Sequence, residues 1–301
     1  MGKLVEIICV GHNPSLPQRF KDPEKYQGIP LLKQKYEEMH QRLLEAKPEV
    51  LIVIGHDHIN QWFMNNMPAF MVGKAPVAKG PMPWEEKRSG IPHYEVPIDS
   101  KVAKAIAEGG LKRHVDFAYS DEFTIDHGFT VPLTYVRPEQ DLPIVPIFIN
   151  VMAPPIPPVR RFYQVGEILR DIIEQDLPAN LKVAVLVSGH LSVELGGPRL
   201  MNGPVDKEFD LRALDLFKRG DVPGLMSFMN PETLNSAGNF TAGTLDFVMA
   251  VGIAKGMAPM QSEGIFSSIN THAFLTWDFY KEDSHEQVRS GQGVLADQPG
   301  R

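Results

Sequence analysis

One cysteine, Cys9, occurs in the 301 residues. An internal disulfide and a cysteine-based zinc knuckle are therefore both excluded, and the scarcity of thiols fits a reducing compartment. A basic block is missing too. With a formal net charge of -7, the chain lacks the electrostatic footprint of a nucleic-acid or anionic-membrane partner. No stretch reaches the ~18 uninterrupted apolar residues that a membrane span needs. The start, MGKLVEIICVGHNP, has a short apolar run without a small-residue cleavage site. These absences point to a cytoplasmic protein. Two chemical motifs are absent as well. GGPRLMNG has glycines without G-x-G-x-x-G spacing, and neither SGHLS nor TAGT is a G-x-S-x-G elbow, so a dinucleotide site and a serine nucleophile have no support.

What the chain does contain is four short runs rich in Val and Ile: LVEIICV (4–10), VLIVI (50–54), LPIVPIFINV (142–151) and LKVAVLV (181–187). Near-continuous apolar runs of this length predict strands buried on both faces, as in parallel sheets. Between them, 30–47, 160–175 and 208–220 carry apolar residues at helical spacing. Pro30 is placed to start the first of these, Pro48 to end it, and Gly220 to cap the third. Strands alternating with helices predict an α/β fold, a single domain over 1–282 around a mostly parallel sheet flanked by helices. APPIPPVRR (153–161) reads as a rigid loop inside that domain. The polar segment 283–301 reads as a flexible C-terminal tail.

Histidines follow these runs: His12 after the first, His56 and His58 after the second, His190 after the last. Ligands of open α/β sheets bind outside the carboxyl ends of the strands, so three strand ends deliver imidazole to one edge. Imidazole with carboxylate and without thiolate suits Fe(II), Mn(II) or Zn(II). Spacing does not decide which histidine of the His56-Asp57-His58 triplet points inward, because residues two apart on an extended strand face the same way.

The longer segment GHDHINQWFMNNMPAFMVG (55–73) resembles the class III extradiol ring-cleavage dioxygenases. This is the LigB-like superfamily that includes the protocatechuate 4,5-dioxygenase β subunit and gallate dioxygenase. GHNPSLP (11–17), TIDHGFTVPL (124–133) and LSVELGGPR (191–199) follow the family's pattern in the same order. The resemblance implies a non-haem Fe(II) enzyme, with Mn(II) or Zn(II) as alternatives, that opens a catechol-type ring with O2 outside its two hydroxyls. It implies that His12 and His58 are metal ligands, that His56 stands behind them or faces the substrate, and that His127 lies over the substrate. Asp57 would orient His58 or its loop, or serve simply as a turn residue.

Two departures from the family stand out. Its third ligand, a glutamate, is matched best by Asp246 in SAGNFTAGTLDFVMAVGIAKG; otherwise Asp246 is an early-helix carboxylate favoured by the dipole. Its catalytic histidine falls on Val193, and His190, three residues earlier, is expected to take over proton transfer, with Glu194 close by. Arg160, Arg161 and Arg199 are candidates for a substrate carboxylate, Arg199 foremost. The partners expected are a small aromatic and O2, with the chain in a homo-oligomer or joined by a small accessory subunit. Two other readings use the same residues: a zinc-dependent hydrolase, and a non-catalytic subunit. The aromatic cluster 272–280 is expected to be a core strand or a subunit contact, and His272 is not counted as catalytic.

Overall fold

β-branched side chains are stiff and pack well on a pleated surface, and the four Val/Ile runs become the middle of the sheet. A computed structural model describes residues 1–267 and 270–280; the expected tail, 283–301, lies outside the described residues. Ten strands occur among these: β1 (Lys3–Gly11), β2 (Val50–His56), β3 (Phe70–Gly73), β4 (Val77–Gly80), β5 (Tyr94–Pro97), β6 (Ala118–Ser120), β7 (Ile144–Ile149), β8 (Lys182–Gly189), β9 (Gln261–Phe266) and β10 (Thr271–Asp278). Eight of them form one sheet in the order β6-β3-β7-β2-β8-β1-β10-β9, and β4 and β5 make a separate two-stranded antiparallel sheet. The central four, β7, β2, β8 and β1, are mutually parallel. Antiparallel β3 and β10 join on either side. The aromatic cluster at 272–280 falls largely on β10, a core strand with every residue buried.

Helices cover the sheet in two layers. Ile29–Ala46 and His127–Val136 pack on each other and on β1, β2 and β8. Val159–Gln175 packs on Leu245–Ile253, a helix with all nine residues buried. Pro30 opens the first helix, and Lys47 (φ 48°) ends it in the left-handed region just before Pro48. Lys207–Arg219 stops at Gly220, whose φ of 59° is the conformation glycine adopts without strain. The Pro-rich segment is loop as far as Pro158, after which a helix begins. No described helix is long and apolar enough to cross a membrane.

The parallel set fixes where the chemistry lies. Because β1, β2 and β8 run the same way, their carboxyl ends bring Gly11-His12, His56 and Gly189-His190 to one edge. Close approach there needs glycine. A Cβ on Gly11 would lie 2.6 Å from Nδ1 of His272, and one on Gly243 would lie 2.3 Å from the His190 ring.

Candidate metal centre and substrate cavity

Five histidines form one cluster at this edge. Ring centroids lie 4.9 Å apart for His12 and His56, 5.0 Å for His12 and His58, 4.6 Å for His56 and His58 and 5.5 Å for His12 and His190. His58 stacks on His127 at 3.8 Å. In each ring Nδ1 has a partner: Ser188 Oγ at 2.9 Å for His12, Asp246 Oδ2 at 2.7 Å for His56 and Asp126 Oδ2 at 3.0 Å for His58. Glu85 Oε1 lies at 2.5 Å from Nδ1 of His127, and the Leu191 carbonyl at 3.0 Å from that of His190. Carboxylates and carbonyls only accept. Ser188 spends its own proton on the Gly128 carbonyl, so it too accepts from His12. Nδ1 of His12, His58, His127 and His190 therefore carries the proton, and that of His56 does so when Asp246 is ionised; a neutral ring so held keeps its lone pair on Nε2, the tautomer a metal needs.

Two of the Nε2 atoms face each other. Those of His12 and His58 are 3.2 Å apart, close to the ~3 Å that separates two imidazole nitrogens bonded at about 2.1 Å to one ion. Nε2 of His56 is buried without any hydrogen-bond partner. Among the described residues, donor atoms of His12, His56 and His190 lie within 4.8 Å of one another, and so do those of His12, His58 and His127. His12 is common to both sets. An orphaned nitrogen and two convergent triads make this donor set fit a divalent ion.

Burial disfavours the imidazolium forms. Desolvation, with the neighbouring histidines, holds His12 well below its usual range, and desolvation brings His56 to about 4, His58 to about 3 and His190 to about 3. Four rings are thus neutral near neutrality. His127 differs: burial pulls it down, but the Glu85 hydrogen bond and nearby carboxylates outweigh burial and raise it. Burial also pushes the Asp246 carboxyl well above its usual range. Asp126 resists the same desolvation, because the His58 ring and backbone amide hold it below the ordinary carboxylate range.

A cavity of about 510 Å³ opens onto His12, His58, His127 and His190. Its remaining wall is mostly apolar, with Met152, Val193, Leu195 and Phe240 among the contributors and Asn13 and Asn270 as polar exceptions. A larger groove of about 750 Å³ beside Leu111 and Tyr119 contains no imidazole.

The sequence expectations meet this geometry unevenly. His12, His58, His127 and His190 come together at the cavity. His56 joins them from behind, fully buried and away from the cavity wall. Asp57 closes its own loop, accepting from the amides of Asn60, Gln61 and Trp62, and Asp126 is what orients His58. Asp246, expected alongside His12 and His58 on the metal, instead accepts from His56 and belongs to neither triad. Asp246 stands on the buried helix Leu245–Ile253, which packs chiefly on Val159–Gln175 and on β8, and its Oδ2 is taken by the His56 ring. Arg199 is also placed differently from its expected role at a substrate carboxylate. Its guanidinium pairs with Asp206 and the Ala237 carbonyl, and none of Arg160, Arg161 and Arg199 lines the cavity. Glu194 accepts from the Asn239 amide. Glu85 and Ser188 were missed. Glu85 carries no local motif, whereas Ser188 sits two residues before a strand-end histidine, a position worth testing for an orienting group.

Comparison with known proteins places the chain in a family. Residues 6–274 match the family model described as the catalytic LigB subunit of aromatic ring-opening dioxygenase. A 2,3-dihydroxyphenylpropionate/2,3-dihydroxicinnamic acid 1,2-dioxygenase of Klebsiella pneumoniae is 30% identical over 193 residues, 64% of this chain and 57% of that protein. Its counterpart from Photorhabdus laumondii is 28% identical over 214 residues, 69% of this chain and 62% of that one. The matched regions thus span about three fifths of the length of these curated relatives. A solved structure of an uncharacterized protein from Escherichia coli K12 shares the fold, with a TM-score of 0.53 and 14% identity, covering 90% of this chain and 99% of that one. The chain belongs to the LigB family.

Proposed function

We propose that this chain is an extradiol dioxygenase, opening the ring of a catechol-type aromatic with O2 at an ion held among the Nε2 atoms around His12. The observation that carries the reading is the convergence of imidazole lone pairs at the cavity, each ring fixed through its Nδ1. His12 and His58, by their 3.2 Å spacing, supply two ligands. Fe(II), in preference to Mn(II) or Zn(II), would supply open coordination positions for the diol and O2 and an electron path between them.

The chain's own groups do the rest. His190, neutral and at the cavity wall, accepts a phenolic proton at Nε2. His127, held toward its protonated form by Glu85, places a proton donor over the ring and stabilises negative charge developing on oxygen. The apolar wall excludes water and presses on the ring face. Among the described residues no Lys or Arg lines the cavity, and His127, held toward its protonated form, is the group there that a substrate carboxylate would meet.

The test is anaerobic loading with Fe(II), followed by O2-electrode measurement across catechols, aminophenols and hydroxypyridines. The expected result is stoichiometric O2 uptake with a yellow ring-opened product. Confirmed iron occupancy without O2 uptake across the panel, or tight zinc with O2-independent turnover, overturns the reading in favour of a hydrolase.

A further inference from the structure

Asn270 stands directly before β10, in the wall of the cavity of about 510 Å³. Its backbone is held from both sides. The amide donates to Ser267 Oγ at 3.3 Å, and the Ser267 amide and hydroxyl donate to its carbonyl at 3.2 and 2.8 Å. The side chain has no such tether among the described residues: Oδ1 is buried without a hydrogen-bond partner, in a residue only 5% exposed. A buried amide oxygen left unpaired costs stability, and the cavity that Asn270 lines is the side from which a partner can reach it. Asn13, the other amide in that wall, is already committed, its Oδ1 accepting from the Ser15 amide at 2.9 Å and from the Ser15 hydroxyl at 2.7 Å. The neighbouring Val193, Leu195 and Phe240 bring no polar side chain.

We infer that Asn270 is a specificity-determining residue of the cavity, and that it selects a catechol-type ring carrying one further, uncharged hydroxyl. This rests on the proposed function and names the substrate class within it. That reading gives the diol to the ion and to His190, so neither diol oxygen is left for Asn270. A third hydroxyl suits the amide from either end: it donates to Oδ1 or accepts from Nδ2, and rotation about the Cβ–Cγ bond exchanges the two. A methyl group of nearly the same size fills the same space but leaves the amide unpaired. An unpaired polar group in a closed site is what separates one analogue from another. A carboxylate uses the Nδ2 end alone, and meets its counter-charge at His127 instead.

The experiment reads binding rather than turnover. The full chain, loaded with Zn(II), is titrated calorimetrically under nitrogen with two near-isosteric pairs: pyrogallol against 3-methylcatechol, and hydroxyquinol against 4-methylcatechol. Together the pairs place the extra group at either ring position beside or beyond the diol. Wild type should bind the hydroxylated member of at least one pair about 10-fold or more tightly than its methyl partner. Asn270→Leu keeps the volume and removes both amide ends, and should lower that ratio by about 10-fold; because the diols are the same in both proteins, their differing acidity cancels. Thermal melting checks the fold, and Asn270→Ala gives the same readout should the leucine variant not fold. A wild type that does not distinguish hydroxyl from methyl in either pair overturns the inference, and so does a folded variant that keeps the preference. Loss of the preference in the variant, with no O2 uptake by the iron form, would overturn the proposed function alone.

Discussion

At the scale of single residues, the site depends on which acceptor stands behind each ring. Asp126 does the most: its Oδ2 accepts from the His58 amide and ring and from Asn60, while Oδ1 accepts from the Gly128 amide at the start of a helix. Asp126→Asn keeps the shape but removes the charge and obliges one oxygen to become a donor. We expect a loss of roughly 3 kcal/mol in urea unfolding and a fall in kcat larger than any change in KM; unchanged stability and kcat would contradict this. At this scale the sequence was most informative where chemistry and strand position coincide. His12, His58 and His127 each lie in a short local motif and His190 stands at a strand end, and the structure gathers all four at the cavity. What Asp246 touches, the His56 ring, is a fact of three-dimensional packing that no local pattern records. Glu85 comes from a helix 42 residues before the ring it holds, and nothing in its neighbourhood signals it.

Among the elements, the clearest vulnerability is the crossing of Val159–Gln175 with Leu245–Ile253, the helix pair that seats Asp246. Gly166 and Gly252 face each other there: a Cβ on Gly166 would lie 2.2 Å from the Met249 carbonyl oxygen, and one on Gly252 would lie 2.1 Å from that of Tyr163. Both obstacles are backbone, so neither can swing aside. Gly166→Ala should therefore cost about 2–4 kcal/mol despite the better helix propensity of alanine, read as a lower thermal midpoint; a variant as stable as wild type would show that the helices can part. The four central strands and the three long amphipathic helices were legible because each is long enough to show its period. Strands β3 to β6 were not, since three or four residues cannot establish alternation. Gln261–Phe266 escaped notice because, at the sheet edge, its residues are mostly half-exposed and polar.

For the whole molecule, the buried imidazoles set the response to acid. His12, His56, His58, His190 and His272 all titrate well below 6.5 in the fold, the last at about 3 through burial. Between pH 6.5 and about 4 the unfolded chain protonates these five while the folded chain does not, so the folded state binds fewer protons there and loses stability as pH falls. Three carboxyls raised by burial act the other way: Asp57 and Asp210, each to about 6, and Asp246. These bind protons in the fold before they would in the unfolded chain. The balance is about two protons, or about 3 kcal/mol per pH unit near pH 5. Metal-free protein should accordingly show a urea midpoint that falls steeply from pH 6.5 to 4; a midpoint that stays level or rises would mean the cluster is not buried and neutral.

The central claim is that this imidazole cluster would hold a metal ion and that the site opens an aromatic ring with O2. It is tested most directly by running the reaction of Fe(II)-loaded protein under heavy-isotope O2 and weighing the product. Ring opening by this site predicts both heavy oxygen atoms in one product molecule. A product formed without heavy oxygen, or carrying oxygen only from water, would contradict the account.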